Sequence, residues 1–198
     1  MAGETKEKIS VLVVIDAQND FISGSLANSV AQERVPNIVE KIKAFNGDAI
    51  YFTVDTHYED YLNTPEGKKL PIEHCIYGTE GWHIYSDILK TALEKAKEGV
   101  EIKVIPKKTF GSVESVKTPS LVEEVMALEK GNKIPKPMDI EICGFVTDIC
   151  VVSNALTLKA FTYDFAEITV DSNCCAGTTE ENHQAALNVM KSCQINVI

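Results

Sequence analysis

Ser10–Ile15 reads SVLVVI, and Asp16 follows at once. An unbroken, β-branched apolar run of this length has no polar face, so it reads as a strand covered on both sides. Shorter or more mixed runs of the same kind follow at Ala49–Val54, Glu101–Ile105, Asp139–Cys143, Ala166–Val170 and Ile195–Ile198. Helical patterns lie between them. Val35–Phe45 sets Ile38, Val39, Ile42 and Phe45 on one face, with Pro36 in its first turn. Ser86–Lys97 opens on the cap-like Ser86-Asp87 and turns Ile88, Leu89 and Leu93 inward. Ser120–Leu128, Ile149–Phe161 and Glu180–Lys191 are the other helical stretches. Repeated strand–helix alternation predicts an α/β fold: a three-layer, doubly wound, six-stranded parallel sheet of order 3-2-1-4-5-6 with helices on both faces. No linker or repeat divides residues 1–198, so one domain is expected.

Composition narrows the function classes. The chain has 198 residues, 44% hydrophobic and 24% charged, which are globular proportions. Lys plus Arg total 19 against 29 Asp plus Glu, a formal charge of −10. Such a field repels nucleic-acid phosphates and anionic membranes, so neither is the expected partner. No apolar stretch approaches the roughly 18 to 20 residues that span a bilayer. Met1–Lys8 is polar and lacks the apolar centre of a secretory signal, and six cysteines in a chain of regular helices do not read as a disulfide framework. Reduced thiols and a cytoplasmic location are expected.

In open α/β sheets, ligands bind beyond the carboxyl ends of the strands, where strand order reverses. Applied to this sequence, the rule collects Asp16 after the first strand, Asp55 and His57 after the second, Lys107 and Lys108 after the third, and Thr147-Asp148-Ile149-Cys150 after the fourth. A cysteine at a helix start is expected to have a depressed pKa, and Lys107 would favour its thiolate further. Asp16 suits the two tasks of taking the thiol proton and protonating a leaving amine, and N–H groups of the turn suit an oxyanion hole. Each residue alone has a plainer reading: a lone Cys is most often a small buried apolar side chain, and a strand-end Asp is often a cap. Complementary residue types at neighbouring strand ends are what favour catalysis.

A second constellation is Asp55, His57, Glu66 and His74. In extended chain, Asp-x-His puts both side chains on one face, as two ligands of one ion require. Glu66 and His74 come from Asp55–Gly81, an irregular segment too long for a plain connection and able to fold back over the site. Nitrogen and oxygen ligands in this number suit a divalent ion, zinc first and iron or manganese next. The plainer reading makes Asp55 a turn cap and the histidines solvated loop residues. Cys75 is a soft extra ligand or a loop thiol. Phe21, Trp82 and His83 are candidate pocket walls, and His183 reads as a surface or capping residue of the last helix.

The residues also carry a resemblance. Val14-Ile15-Asp16-Ala17-Gln18-Asn19-Asp20-Phe21 with Gly24-Ser25-Leu26 resembles the opening signature of the isochorismatase-like cysteine hydrolases. Gly144-Phe145-Val146-Thr147-Asp148-Ile149-Cys150-Val151 resembles their nucleophile motif, and Lys107 with Thr109, Phe110 and Ser112 their lysine segment. Within that family, Asp55-Thr56-His57 and His74-Cys75-Ile76-Tyr77-Gly78-Thr79-Glu80-Gly81 resemble the nicotinamidase subgroup.

The resemblance implies an amidohydrolase that converts nicotinamide to nicotinate and ammonia through a thioester on Cys150. Asp16 would be base and acid, and Lys107 would support the thiolate. Backbone N–H groups of Val146, Thr147 and Cys150 would form the oxyanion hole, around a cis peptide expected at Val146–Thr147. A divalent metal on Asp55, His57, Glu66 and His74 would orient the pyridine nitrogen, Phe21 and Trp82 would wall the substrate, and a homo-oligomer is implied. The chain departs from the subgroup at Tyr58-Glu59-Asp60, where many nicotinamidases carry Pro and His, and at Thr109-Phe110-Gly111, where many carry a Tyr-Ser pair. A related cysteine amidohydrolase acting on another small amide, carbamoyl or ureido compound is therefore the alternative, and a non-catalytic binding module a third. The latter has no reason to keep an acid/base, a cation and a thiol together. Isochorismatase itself is disfavoured, because vinyl-ether hydrolysis needs no thiol.

Overall fold

The computed structural model describes residues 8–111, 137–162 and 165–198. The expected helix Ser120–Leu128, together with Ser112 of the lysine segment, lies outside them. Six parallel strands run in the order β3-β2-β1-β4-β5-β6. They are β1 (Ile9–Ile15), β2 (Ala49–Asp55), β3 (Glu101–Lys107), β4 (Met138–Phe145), β5 (Ala166–Ala176) and β6 (Asn196–Val197). The predicted fold class is the observed one. The central strands carry the core: Val11–Ile15 and nearly all of β2 are withdrawn from solvent, as an apolar run without alternation requires.

Two elements differ from the sequence expectation in instructive ways. The helix predicted over Val35–Phe45 is α2, Ser29–Ala44 (α1 is the short turn Asn19–Ile22). Its start is fixed earlier than the apolar pattern shows, because Asn28 accepts hydrogen bonds from the N–H groups of Val30 and Ala31 at 2.9 and 3.1 Å. Pro36 therefore lies inside the helix, on its exposed side, and not in its first turn. The second is α3, Ser86–Lys97, which ends as predicted but buries Ile88, Ala92 and Lys95, leaving Leu93 49% exposed. Its N-cap is Tyr85, with no side-chain cap from Ser86 or Asp87.

Past β4 the chain makes a π-helical turn, Thr147–Val151, before α4, Val152–Phe161. α5 spans Glu180–Ser192 and is capped by Thr179. β5 runs on beyond the expected Val170 to Ala176, so that Cys175 and Ala176 pair with Gly144 and Phe145 across a register shift. This extension brings the β5–α5 connection beside the head of β4. No described helix is long and apolar enough to cross a membrane.

Candidate active site

The switch point lies between β1 and β4, whose ends are pressed together at Ile15 and Gly144. Gly144 has φ +116°, and a Cβ there would stand 2.1 Å from the Ile15 carbonyl oxygen. Only glycine permits this approach. Asp16 then leaves β1 at φ +43°, in the left-handed region that Asp tolerates better than most residues, which turns its side chain into the crevice. Thr53 fixes it there by donating from Oγ1 to Asp16 Oδ1 at 2.7 Å.

The structure brings Asp16, Lys107 and Cys150 together. Lys107 Nζ lies 2.6 Å from Asp16 Oδ2 and 3.6 Å from Cys150 Sγ, with all three side chains buried. Lys108, the neighbouring alternative, is exposed and rests over the Tyr58 ring. Burial works against the Lys107 charge, but Asp16, Cys150 and Asp55 hold its pKa well above the ordinary value. Burial lifts the pKa of Asp16, in part offset by Lys107.

The thiol differs from the sequence expectation. Burial, reinforced by the nearby Asp16 and Asp55 charges, raises the Cys150 pKa in spite of Lys107. Desolvation by the surrounding core therefore outweighs the favourable Lys107 charge. Cys150 sits within the π-helical turn, a feature often found at functional sites. The cis peptide is Phe145–Val146, one residue earlier than expected: β4 stays paired through Phe145, and the turn begins directly after it. In that turn the N–H groups of Ile149 and Val151 return to the Val146 carbonyl at 3.2 and 3.1 Å.

The long segment folds back as expected and assembles Asp55, His57, Glu66 and His74, whose potential ligand atoms all lie within 4.8 Å of one another. His57 Nε2 and His74 Nε2 are 3.1 and 3.6 Å from Asp55 Oδ2, and Glu66 Oε1 is 3.8 and 3.9 Å from the same nitrogens. Ligands about 2.0–2.1 Å from a tetrahedral ion would be about 3.4 Å apart, so the group fits a divalent cation. His74 Nδ1 is hydrogen-bonded to the Ile72 carbonyl at 2.8 Å, which points its other nitrogen into the group. Burial opposes ionisation of Asp55, yet Lys107 and the two histidines hold its pKa far below the usual carboxylate range. Burial and the Asp55 charge raise that of Glu66, against the opposing effect of His57, His74 and Lys107.

Several supporting residues escaped sequence reasoning. Gln18 is fully buried and brackets Asp55, accepting from its N–H at 2.7 Å and donating to its carbonyl at 2.9 Å. Asp20 accepts from the N–H groups of Cys75 and Ser25, tying the ligand loop to α1. Tyr61 packs against both His57 and His74. His183 is buried, and its Nδ1 is 2.8 Å from Thr147 Oγ1, so it braces the turn that carries Cys150 and is not a surface or capping residue. Gln18 and Asp20 were visible only as members of a motif; nothing local marks Tyr61 or His183.

Cys150, Asp55, Glu66, His74 and His183 border one cavity of about 980 Å³. Phe21 lines it and meets the His74 ring edge-on at 5.8 Å. Trp82 does not line it: its indole N–H is spent on Thr56 Oγ1 at 3.0 Å, behind the ligand loop. Cys75 is buried with its backbone N–H on Asp20, and Cys143 and Cys174 pack within the sheet, whereas Cys175 reaches the cavity wall. All six cysteines are free.

A doubly wound sheet that gathers a buried thiol, a carboxylate and an ammonium at its switch point defines a class of α/β protein with its chemistry beyond the strand ends. The chain belongs to the isochorismatase family, whose Isochorismatase domain matches residues 10–198. It is similar to the nicotinamidase/pyrazinamidase of Bacillus subtilis, with 28% identity, 96% of this chain and 98% of that chain covered, and a TM-score of 0.75. The pyrazinamidase/nicotinamidase of Streptococcus mutans shares 27% identity over 96% and 99% of the two chains, with a TM-score of 0.75. The pyrazinamidase of Pyrococcus horikoshii, solved in complex with zinc, shares 25% over 96% and 98%, with a TM-score of 0.71. No curated protein matches the sequence.

Proposed function

We propose that this protein is a cysteine amidohydrolase that converts nicotinamide to nicotinate and ammonia. The observation carrying the reading is the meeting of Asp16, Lys107 and Cys150 beside the Asp55–His57–Glu66–His74 group, with Cys150, Asp55, Glu66 and His74 lining one cavity. The likeness to nicotinamidases and pyrazinamidases at 25–28% identity supports the same class.

The chemistry follows from the groups present. Cys150 gives its proton to Asp16, whose raised pKa makes it a stronger base, and Sγ forms a bond to the carboxamide carbon. Lys107 offsets the negative charge that moves between the two. N–H groups of Val146, Thr147 and Cys150 are the candidates to hold the amide oxygen as it gains charge. The C–N bond breaks as Asp16 returns the proton to nitrogen, so ammonia leaves and a thioester remains. Water then gives a proton to Asp16 and attacks the thioester carbon; nicotinate departs and the thiol is restored. Asp55, His57, Glu66 and His74 would hold a divalent ion, with zinc favoured by the ligand types, which when bound would supply a Lewis-acidic position for a ring nitrogen.

A second reading, hydrolysis of another small amide or ureido compound, is favoured by the cavity volume, which lies near the top of the roughly 300–1,000 Å³ range of small-molecule sites. An ammonia-release assay on nicotinamide and a panel of ureido compounds, with and without chelator, tests both. Release from nicotinamide that falls with chelation is expected. Release from the ureido panel alone, indifferent to chelator, overturns the first reading in favour of the second.

A further inference from the structure

Lys41, Lys95 and Lys107 are each drawn into the protein against a carboxylate: Lys41 on Glu141 and Asp171, Lys95 2.5 Å from Glu98, and Lys107 2.6 Å from Asp16. Arg34 is not. It projects from α2 into the cavity with its Nε buried and without a hydrogen-bond partner, and no carboxylate of the described residues lies within 4.0 Å of it. The chain has 29 acidic residues, yet none of the described ones pairs with this partly buried guanidinium.

Its place in the fold matters. The metal-ligand group approaches the cavity from the β2 side of the switch point, whereas Arg34 stands on the β5 side. α2 is tied there by hydrogen bonds from Asn28 Nδ2 to the Gly177 carbonyl and from Asn37 Nδ2 to the Asn173 carbonyl, both 2.8 Å. Thr179 and His183 line the same side, and burial, assisted by Arg34, lowers the His183 pKa. Glu180 also borders it but is exposed and makes no ion pair with Arg34. Cys150, Asp55 and His74 line the same cavity as Arg34. Arginine's planar fork is matched to a carboxylate.

We propose that Arg34 anchors a carboxylate carried by the substrate on the far side of the cavity, so that the preferred substrate is a small amide with a second, anionic end. This rests on the reading of Cys150 as the amidase nucleophile.

The test uses nicotinamides bearing a carboxylate on ring carbon five or six, directly or through one methylene, each beside its methyl ester. At least one acid is expected to exceed its ester about tenfold or more in kcat/KM, the factor that one good charged contact supplies. Arg34→Met should bring that acid-to-ester ratio to about one, and Arg34→Lys, which keeps the charge but not the fork, should retain part of it. No acid exceeding its ester, or a ratio untouched by Arg34→Met, overturns the proposal while ammonia release from nicotinamide keeps the amidase reading. Should Arg34→Met fail to fold, Arg34→Lys and the wild-type ratio decide alone. If no amide is hydrolysed, calorimetric titration of the same acids and esters separates the two ideas. Acid binding lost in Arg34→Met upholds the anion site without the amidase, and equal binding of acid and ester overturns it. Faster nicotinamide turnover with added sodium acetate, without any preference for acid over ester, would put the carboxylate on a separate molecule and also overturn it.

Discussion

Lys107 Nζ and Asp16 Oδ2 lie 2.6 Å apart, although their strands, β3 and β1, are separated by the whole of β2. The lysine stem crosses over the end of β2, where Lys107 is the register partner of Asp55, and delivers one ammonium to two buried carboxylates and a thiol. Burial makes this contact structural as well as chemical. Removing the cation leaves Asp16 with only the Thr53 hydroxyl and Asp55 with only the two histidines to offset burial.

Lys107→Met is therefore expected to lower unfolding free energy by about 3–5 kcal/mol, the range for one partner lost from a buried pair, and to abolish amide hydrolysis. Adding Asp16→Asn should restore part of the stability and none of the activity, because the stranded charge is then gone. Urea unfolding of the single and double variants checks this. A single variant as stable as wild type would show that the pair contributes nothing.

Cys150→Ala should reduce ammonia release from nicotinamide about a thousandfold or more, with circular dichroism and bound-metal content unchanged. The small side chain fits the buried site, so folding is not the cause of the loss. Retained turnover removes Cys150 from the mechanism.

His57→Ala takes one nitrogen from the Asp55–His57–Glu66–His74 group, and zinc affinity should fall more than about a hundredfold, beyond the usual effect of an outer-sphere change, so that little metal survives dialysis against limiting zinc. Gln18→Ala, which removes hydrogen bonds to the Asp55 backbone and the Trp82 carbonyl but no candidate ligand, should fall less. Elemental analysis of the dialysed proteins decides; equal zinc in His57→Ala and wild type would dismiss the ligand assignment.

His183 gives a prediction with a pH sign. Its pKa is lowered by burial, with Arg34 adding to the effect and Glu180 and Asp148 opposing it. Below about pH 6.5, the ordinary histidine pKa, the unfolded chain therefore binds a proton that the folded protein resists, so stability falls as pH drops. His183→Gln loses the Thr147 hydrogen bond and should be less stable by about 1 kcal/mol at pH 7.5, with the gap narrowing toward pH 5.5. Chemical denaturation at both pH values measures the gap. A gap that widens on acidification contradicts a neutral, buried ring.

Much of the fold could be read from residue order. The SVLVVI run, the β-branched second strand and the spacing of the helices led to the six-stranded parallel order that the structure shows. The switch-point rule then put Asp16, Lys107 and Cys150 at one edge, and the local Asp55-x-His57 spacing nominated half of the ligand group. Glu66 and His74 could be nominated but not placed, since they depend on a loop whose path is set by Tyr61, Asp20 and the bridge between His57 and Ile76. The start of α2 was misread because Asn28 caps it ahead of its apolar face, and the thiol's protonation because helix-head electrostatics can be inferred locally while desolvation cannot.

By itself, then, the sequence determined which elements form and which chemically capable side chains stand at their carboxyl ends, because hydrophobic period and strand-end position are local properties. Only the tertiary structure decided what those side chains are: that burial raises the Cys150 pKa, that Trp82 turns away while His183 turns in, and that Arg34 faces the cavity with its Nε unpaired among the described residues. Proton affinity, burial and pairing are set by neighbours distant in the chain, and no local pattern of residues encodes them.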